Sequence, residues 1–298
     1  MSRSPADRVA TVNCSIPSTN MTDSSAESDW DFYLCSVNGV LSSIMVNLGA
    51  NRRAPVAEKP WLLWVWVQMR SPRDDGLSSD AEAPNLYQIE DTLRESLSES
   101  GAELLGRITG DNRREFYFYS HKSGSLDVAV DQARRAFPDY LFECGTRHDQ
   151  GWRQYRNVLY PSDADMQRIQ NRRVINQLEE HGDDHSIPRP VDHAVYFRNP
   201  SDRRAFASAA IAAGFTVQSE SDHETEEISR RYFLNLVRTD PATLEHIDKV
   251  VLQLVELAKR YEQPRSAAVI DECPMHPQRA DYDGWGCEVQ AGAAPLPQ

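Results

Sequence analysis

An α+β protein of two tandem modules, each of order βαββαβ and the first extended by an N-terminal β-hairpin, is what this 298-residue chain predicts. Three observations carry that reading. The length exceeds the ~100 to 200 residues of a usual domain, and 40% hydrophobic content is enough for two cores. Short apolar runs with strand character alternate with runs of helical period, and the same order of elements occurs twice. Turn and stop signals fall between them, among them Asn38-Gly39 and the helix-closing Gly101, Gly182 and Gly214.

Residues 1–28 are rich in small polar side chains and lack an apolar period, the composition of a disordered tail. From Trp30 to Val37 a strand leads into Asn38-Gly39, the positive-φ pair of a type I′ turn, and the chain returns from Val40 to Leu48 as a hairpin. Trp61 to Val67 is apolar on both alternating faces and is expected to be covered on both sides. Leu86, Ile89, Leu93 and Leu97 then recur at helical spacing, and Glu103 to Thr109 and Arg113 to Tyr119 form strands around Gly110-Asp111-Asn112. Ser125 opens a helix that stops before Pro138, and Tyr140 to Thr146 is the last strand of the first module. An aromatic and arginine-rich connection, Trp152 to Tyr160, leads to the second. A helix from Asp163 breaks at Gly182. Val191 to Arg198 is a strand, Asn199-Pro200 starts a helix that ends at Gly214, and Phe215 to Ser219 pairs with Arg231 to Arg238. Asp240-Pro241 is expected to cap a helix from Leu244 to Tyr261, and the Tyr282 segment returns as an edge strand. Both orders are those of the ferredoxin-like split βαβ. The expected organisation is a tail at 1–28, modules at 29–160 and 161–289, and a second tail at 290–298.

A formal charge of -13 argues against broad contact with phosphate backbones, which requires clustered Lys and Arg. Five scattered cysteines form no disulfide framework and suit a reducing cytoplasm. No apolar run reaches the ~20 residues of a membrane span. Phosphate loops, Ser-His-Asp order and diagnostic carboxylate pairs are all missing, so no catalytic residue and no cofactor are proposed. Cys273, His276 and Cys287 offer thiolate and imidazole but make only three candidates without a paired motif, and no metal is assigned.

Two groups of residues invite contact with a partner. The run from Glu220 to Glu227 places Glu220, Asp222, Glu224, Glu226 and Glu227 between two strands, as a loop able to meet an arginine-rich partner with little desolvation. Asp283 and Trp285 lie among glycines that permit close backbone approach. Trp285 is either an interface anchor or packed on the preceding helix, and His193 faces the same choice. The alternation Phe116-Tyr117-Phe118-Tyr119 is also how an RNA-recognition sheet stacks bases, which makes Tyr117 and Tyr119 alternative RNA-stacking residues. Against this stand the missing glycines, the intruding Glu115 and the acidic chain. The competing reading turns Phe116 and Phe118 toward the helices and the two tyrosines toward the other sheet surface.

Gly182-Asp183, Val191-Asp192-His193 and Tyr282-Asp283-Gly284-Trp285-Gly286 occur here in the order and spacing in which they resemble the family regulator of ribonuclease activity B (RraB), over about Asp163 to Val289. That resemblance implies a noncatalytic inhibitor that binds the partly basic, noncatalytic C-terminal region of ribonuclease E. The first module, with its Trp30-Asp31-Phe32-Tyr33 opening, Asp75-Gly76-Leu77 and Arg114 to Tyr119, resembles an uncharacterised bacterial domain family that often precedes an RraB-like module. The chain departs from the inhibitor by carrying this extra module and by ending in Ala, Gly and Pro where an acidic tail is expected.

Overall fold

The computed structural model describes residues 11–13, 28–223, 231–260 and 280–290. These fall into two compact units divided between Ile169 and Gln170, with Thr11–Asn13 belonging to the second. We number Thr11–Asn13 as β1.

The first unit comprises β2 (Trp30–Val37), β3 (Val40–Asn47), β4 (Trp61–Gln68), α1 (Ala83–Ser98), β5 (Glu103–Gly110), β6 (Arg113–Ser120), α2 (Leu126–Ala136) and β7 (Leu141–His148). Its six strands lie in the order β2-β3-β5-β6-β4-β7, every pair antiparallel. Asn38 and Gly39 have φ of 52° and 85°, which bends β2 into β3 with the twist that a two-residue hairpin demands. Side chains alternate across β4 and β6, so the sheet buries two separate layers. Leu63, Val65, Val67, Phe116 and Phe118 pack with α1 and α2 on one face. Leu62, Tyr117 and Tyr119 pack on the other with Tyr33, Ile44, Val46, Trp152, Tyr155, Leu159 and Ile169. The Trp152 to Tyr160 stretch, which reads in sequence as a connection, is therefore the second layer of this core. Its π-helical turn Tyr155–Leu159 is anchored by Asp149, whose carboxylate accepts from the Arg153 and Gln154 amides at 3.0 Å each.

The second unit contains most of α3 (Asp163–Glu180), then β8 (Arg189–Phe197), α4 (Pro200–Ala212), β9 (Thr216–Asp222), β10 (Tyr232–Asp240), α5 (Leu244–Lys259) and β11 (Ala280–Glu288). Its strand order is β1-β11-β8-β10-β9, again antiparallel throughout. Val191, Val195, Phe197, Leu234 and Leu236 meet Val174, Leu178, Phe206, Val251 and Leu254 of the helices in one core. Asn199 caps α4, its side chain accepting from the Asp202 amide at 2.8 Å.

Three expectations change. Thr11–Asn13, within the expected tail, pairs with Glu288, Cys287 and Gly286; backbone hydrogen bonds alone can recruit such a segment to an open edge without an apolar pattern. Glu220, Ser221 and Asp222 are strand residues paired with Leu234, Phe233 and Tyr232, so the acidic run begins in the sheet. Asp240 does not cap α5, whose N-cap is Thr243; its carboxylate instead accepts from Arg238 at 2.7 Å and lies 2.7 Å from His246 Nε2. No described helix is long and apolar enough to cross a membrane.

Candidate partner-binding site

The acidic end of β9 is held by one cation. Arg203, near the start of α4 and 9% exposed, donates from Nη1 to Asp222 Oδ1 at 2.8 Å, to the Ser221 carbonyl at 3.0 Å and to the Phe233 carbonyl at 3.2 Å. Its Nη2 lies 3.4 Å from Glu220 Oε2. Glu220 and Asp222 share a side of β9 because they are two residues apart, which is why one guanidinium reaches both. Their side chains remain 39% and 66% exposed, so both stay open to a partner while Arg203 fixes their position. Glu224, Glu226 and Glu227 lie outside the described residues.

The opposite surface of the same strands carries aromatic rings. Val191, His193, Val195 and Phe197 point into the core, so Asp192, Ala194 and Tyr196 take the other side of β8. Tyr196 and Phe233 are adjacent with ring centroids 5.1 Å apart, and His223 lies 6.3 Å and 6.1 Å from them. All three are at least partly exposed. Asn235 extends this surface by donating to Asp192 at 3.0 Å and Gln218 at 3.1 Å. The acidic strand end on one face and the partly exposed rings on the other each suit a partner that presents arginine, the first through carboxylate pairing and the second through cation-π contact. Arg203, Tyr196 and Phe233 were not singled out from sequence, although the period-two alternation of Val191 to Phe197 already places Tyr196 away from the core.

The other candidates are structural. Trp285 is 3% exposed and donates from Nε1 to Asn171 Oδ1 at 2.9 Å, while Asn171 donates to Asp248 at 2.8 Å. This chain ties β11 to α3 and α5, so of its two readings Trp285 takes the packed one and is no exposed interface anchor. Asp283, 8% exposed, occupies the pairing irregularity between Tyr282 and Gly284, where Gly284 adopts φ 142°. Cys287 is buried, and that burial pushes its thiol up to about 11; Cys273 and His276 lie outside the described residues. No cluster of three metal-ligating side chains occurs among the described residues.

Tyr117 and Tyr119 do face away from the helices, but the Trp152 layer covers them. Tyr119 is fully buried, stacked on Trp152 at 4.5 Å and 26°, and donates to Asp149 at 2.6 Å. Tyr117 is 6% exposed and donates to Glu115. Neither ring has a free face for a base, which corrects the RNA-stacking reading.

His193 is core. Its Nδ1 lies 2.9 Å from the Tyr282 hydroxyl, and its ring meets Phe215 edge to face at 5.5 Å. Burial pushes its pKa from the ordinary 6.5 down to about 3, Asp240 opposing and Arg238 adding to the fall. The unfolded chain therefore binds a proton that the folded chain refuses between those values. The stability due to neutral His193 is complete above pH 6.5 and is lost as pH falls toward about 3, at about 1.4 kcal/mol per pH unit. We expect His193→Leu to reduce the acid slope of stability over this window by about one proton, measured by urea unfolding at a series of pH values. An unchanged slope would place the titrating group elsewhere.

The motifs that carry the family resemblance are thus fold signatures. Gly182 follows α3 at φ 74°, His193 joins Tyr282, and Trp285 joins Asn171. No curated protein matches the chain. Among solved structures, an unknown protein from Galdieria sulphuraria matches with 10% identity over 78% of this chain and 99% of that one, at a TM-score of 0.20, too low to speak for the fold. Residues 28–160 match DUF695, a family of unknown function, and residues 168–263 match Regulator of ribonuclease activity B, so the two segments carry the two kinds of module that their motifs resemble.

Proposed function

We infer that this protein regulates ribonuclease activity by protein-protein contact, without catalysis of its own, and that its second unit makes the contact. The observation that carries this reading is the match of residues 168–263 to Regulator of ribonuclease activity B. The strand order of that unit, with its third strand β10 inserted between β8 and β9, supports a ferredoxin-like module, and the same order recurs in β4 to β7. The partner is the noncatalytic, partly basic region of ribonuclease E in the bacterial cytoplasm. Glu220 and Asp222, with Glu224, Glu226 and Glu227 beyond them, supply the attraction. Asp283 contributes by shaping β11, and Trp285 by fixing β11 from within.

Inhibition is tested by a cleavage time course with the source organism's ribonuclease E, full-length and cut back to its catalytic half. Slowing of the full-length enzyme alone is expected; equal slowing of both would place the contact on the catalytic half. Changing the five acids to Gln or Asn is expected to weaken binding by about 0.5 kcal/mol per exposed charge and to flatten its salt dependence. Unchanged affinity and salt slope would remove the acidic run from the interface. The RNA-binding alternative loses its support with the burial of Tyr117 and Tyr119.

A further inference from the structure

Among the described residues the helix-bearing face of the first sheet is only partly covered. Strands lie ~4.8 Å apart, so six occupy a width of roughly 29 Å, whereas two helices at ~10 Å each cover about four strands. The uncovered width, about 10 Å, matches one more helix, and it falls on the hairpin β2–β3. There Phe32 faces Met45, Leu34 faces Ser43 and Ser36 faces Leu41, all on the side opposite Tyr33, Ile44 and Val46. Phe32, Leu34 and Leu41 are 41%, 51% and 42% exposed. The strip runs into a cleft of about 210 Å³ lined by Trp30, Met45 and Leu104 below and by Glu90 and Arg94 of α1 beside it, with Arg107.

The cleft is lined by two arginines, Arg94 and Arg107, against one glutamate, Glu90, in a protein of net charge -13. Arg107 pairs with Glu90 and lies 5.0 Å from the Tyr87 ring. Among the described residues the exposed Arg94 has no carboxylate within ion-pair distance. An apolar floor beside an exposed guanidinium without an ion-pair partner suits an acidic flank.

We propose that the groove between α1 and the β2–β3 hairpin docks an amphipathic helix of a partner protein whose polar face is acidic. Apolar residues at positions i, i+3 or i+4, and i+7 would fill the strip from Met45 to Leu41, and carboxylates along one edge would meet Arg94. A helix of about 18 residues spans ~27 Å, the length of an eight-residue strand. This site is independent of the ribonuclease contact, since it uses only the first unit.

The test is a displayed library of 18-residue helices with a fixed apolar stripe and random polar positions, selected on the full chain. Glu and Asp should be enriched beside the stripe. A selected helix should lose at least tenfold in affinity on Leu34→Glu with Leu41→Glu and on Arg94→Glu, while Leu141→Glu, at a 75% exposed position on β7, should change nothing. Selection on the Arg94→Glu chain should turn toward Lys and Arg. Enrichment of neutral or basic flanks, binding indifferent to the Leu34 and Leu41 changes, or no selected binder would overturn the proposal. A wild-type dimer that Leu34→Glu dissociates would assign the face to a second copy instead.

Discussion

Asp183→Ala is expected to remove about 3 to 5 kcal/mol of stability from the second unit, the cost of leaving a buried charge without its partner. Asp183 and Arg189 are 0% and 2% exposed at their side chains. Beyond the ion pair, Arg189 donates to the Ile187 carbonyl at 3.1 Å and the Glu288 carbonyl at 3.2 Å, and also to the Asp184 carbonyl. Asp183 in turn accepts from the Gln290 amide at 2.7 Å. The pair thus fastens the exit of α3, the entry to β8 and the end of β11 at one point. Truncation strands the guanidinium in a place where water cannot replace the carboxylate. Arg189→Met added to Asp183→Ala should recover part of the loss, because the double variant no longer buries an uncompensated charge. Trp285 is the one tryptophan after residue 170, so its fluorescence in urea reports this unit. A loss below about 1 kcal/mol would show the pair behaving as a solvated surface bridge.

Much of the secondary structure could be read from the sequence because its signals are local. Asn38-Gly39 specifies the turn by its backbone freedom, and the two faces of Phe116 to Tyr119 follow from strand alternation. What could not be read depends on partners far along the chain. The Trp152 stretch has no helical or strand period, and only folding shows that it covers Tyr119, 33 residues earlier in the sequence. Arg203 gave no signal because one arginine near a helix start is ordinary, and its purpose appears only when β9 passes beside it. Charge composition made the acidic run visible without revealing that Glu220 and Asp222 already have a partner. The hairpin read correctly as a hairpin, yet Phe32, Leu34 and Leu41 looked like ordinary strand residues until the two helices were seen to stop short of them.

Trp152→Ala is expected to cost the first unit about 3 to 5 kcal/mol, as large aromatic truncations in a packed core do. Trp152 is fully buried, stacks on Tyr119, meets Tyr155 edge to face at 6.0 Å and donates from Nε1 to the Lys59 carbonyl at 2.9 Å. Its backbone holds φ at 51°, a conformation rarely adopted by large side chains, so the surrounding contacts must compensate for that strain. Trp152→Phe keeps most of the packing but not the hydrogen bond and should lose less. Thermal and urea unfolding of the two variants separate these contributions, and a small loss in the alanine variant would contradict the assignment of this segment as the second core layer. The same comparison bears on function. With Trp152 in place no base can reach Tyr119, so wild-type tryptophan fluorescence should not respond to short RNA. Quenching by RNA in the wild type would require the Trp152 layer to leave the sheet, and would reopen the nucleic-acid reading that its packing otherwise closes.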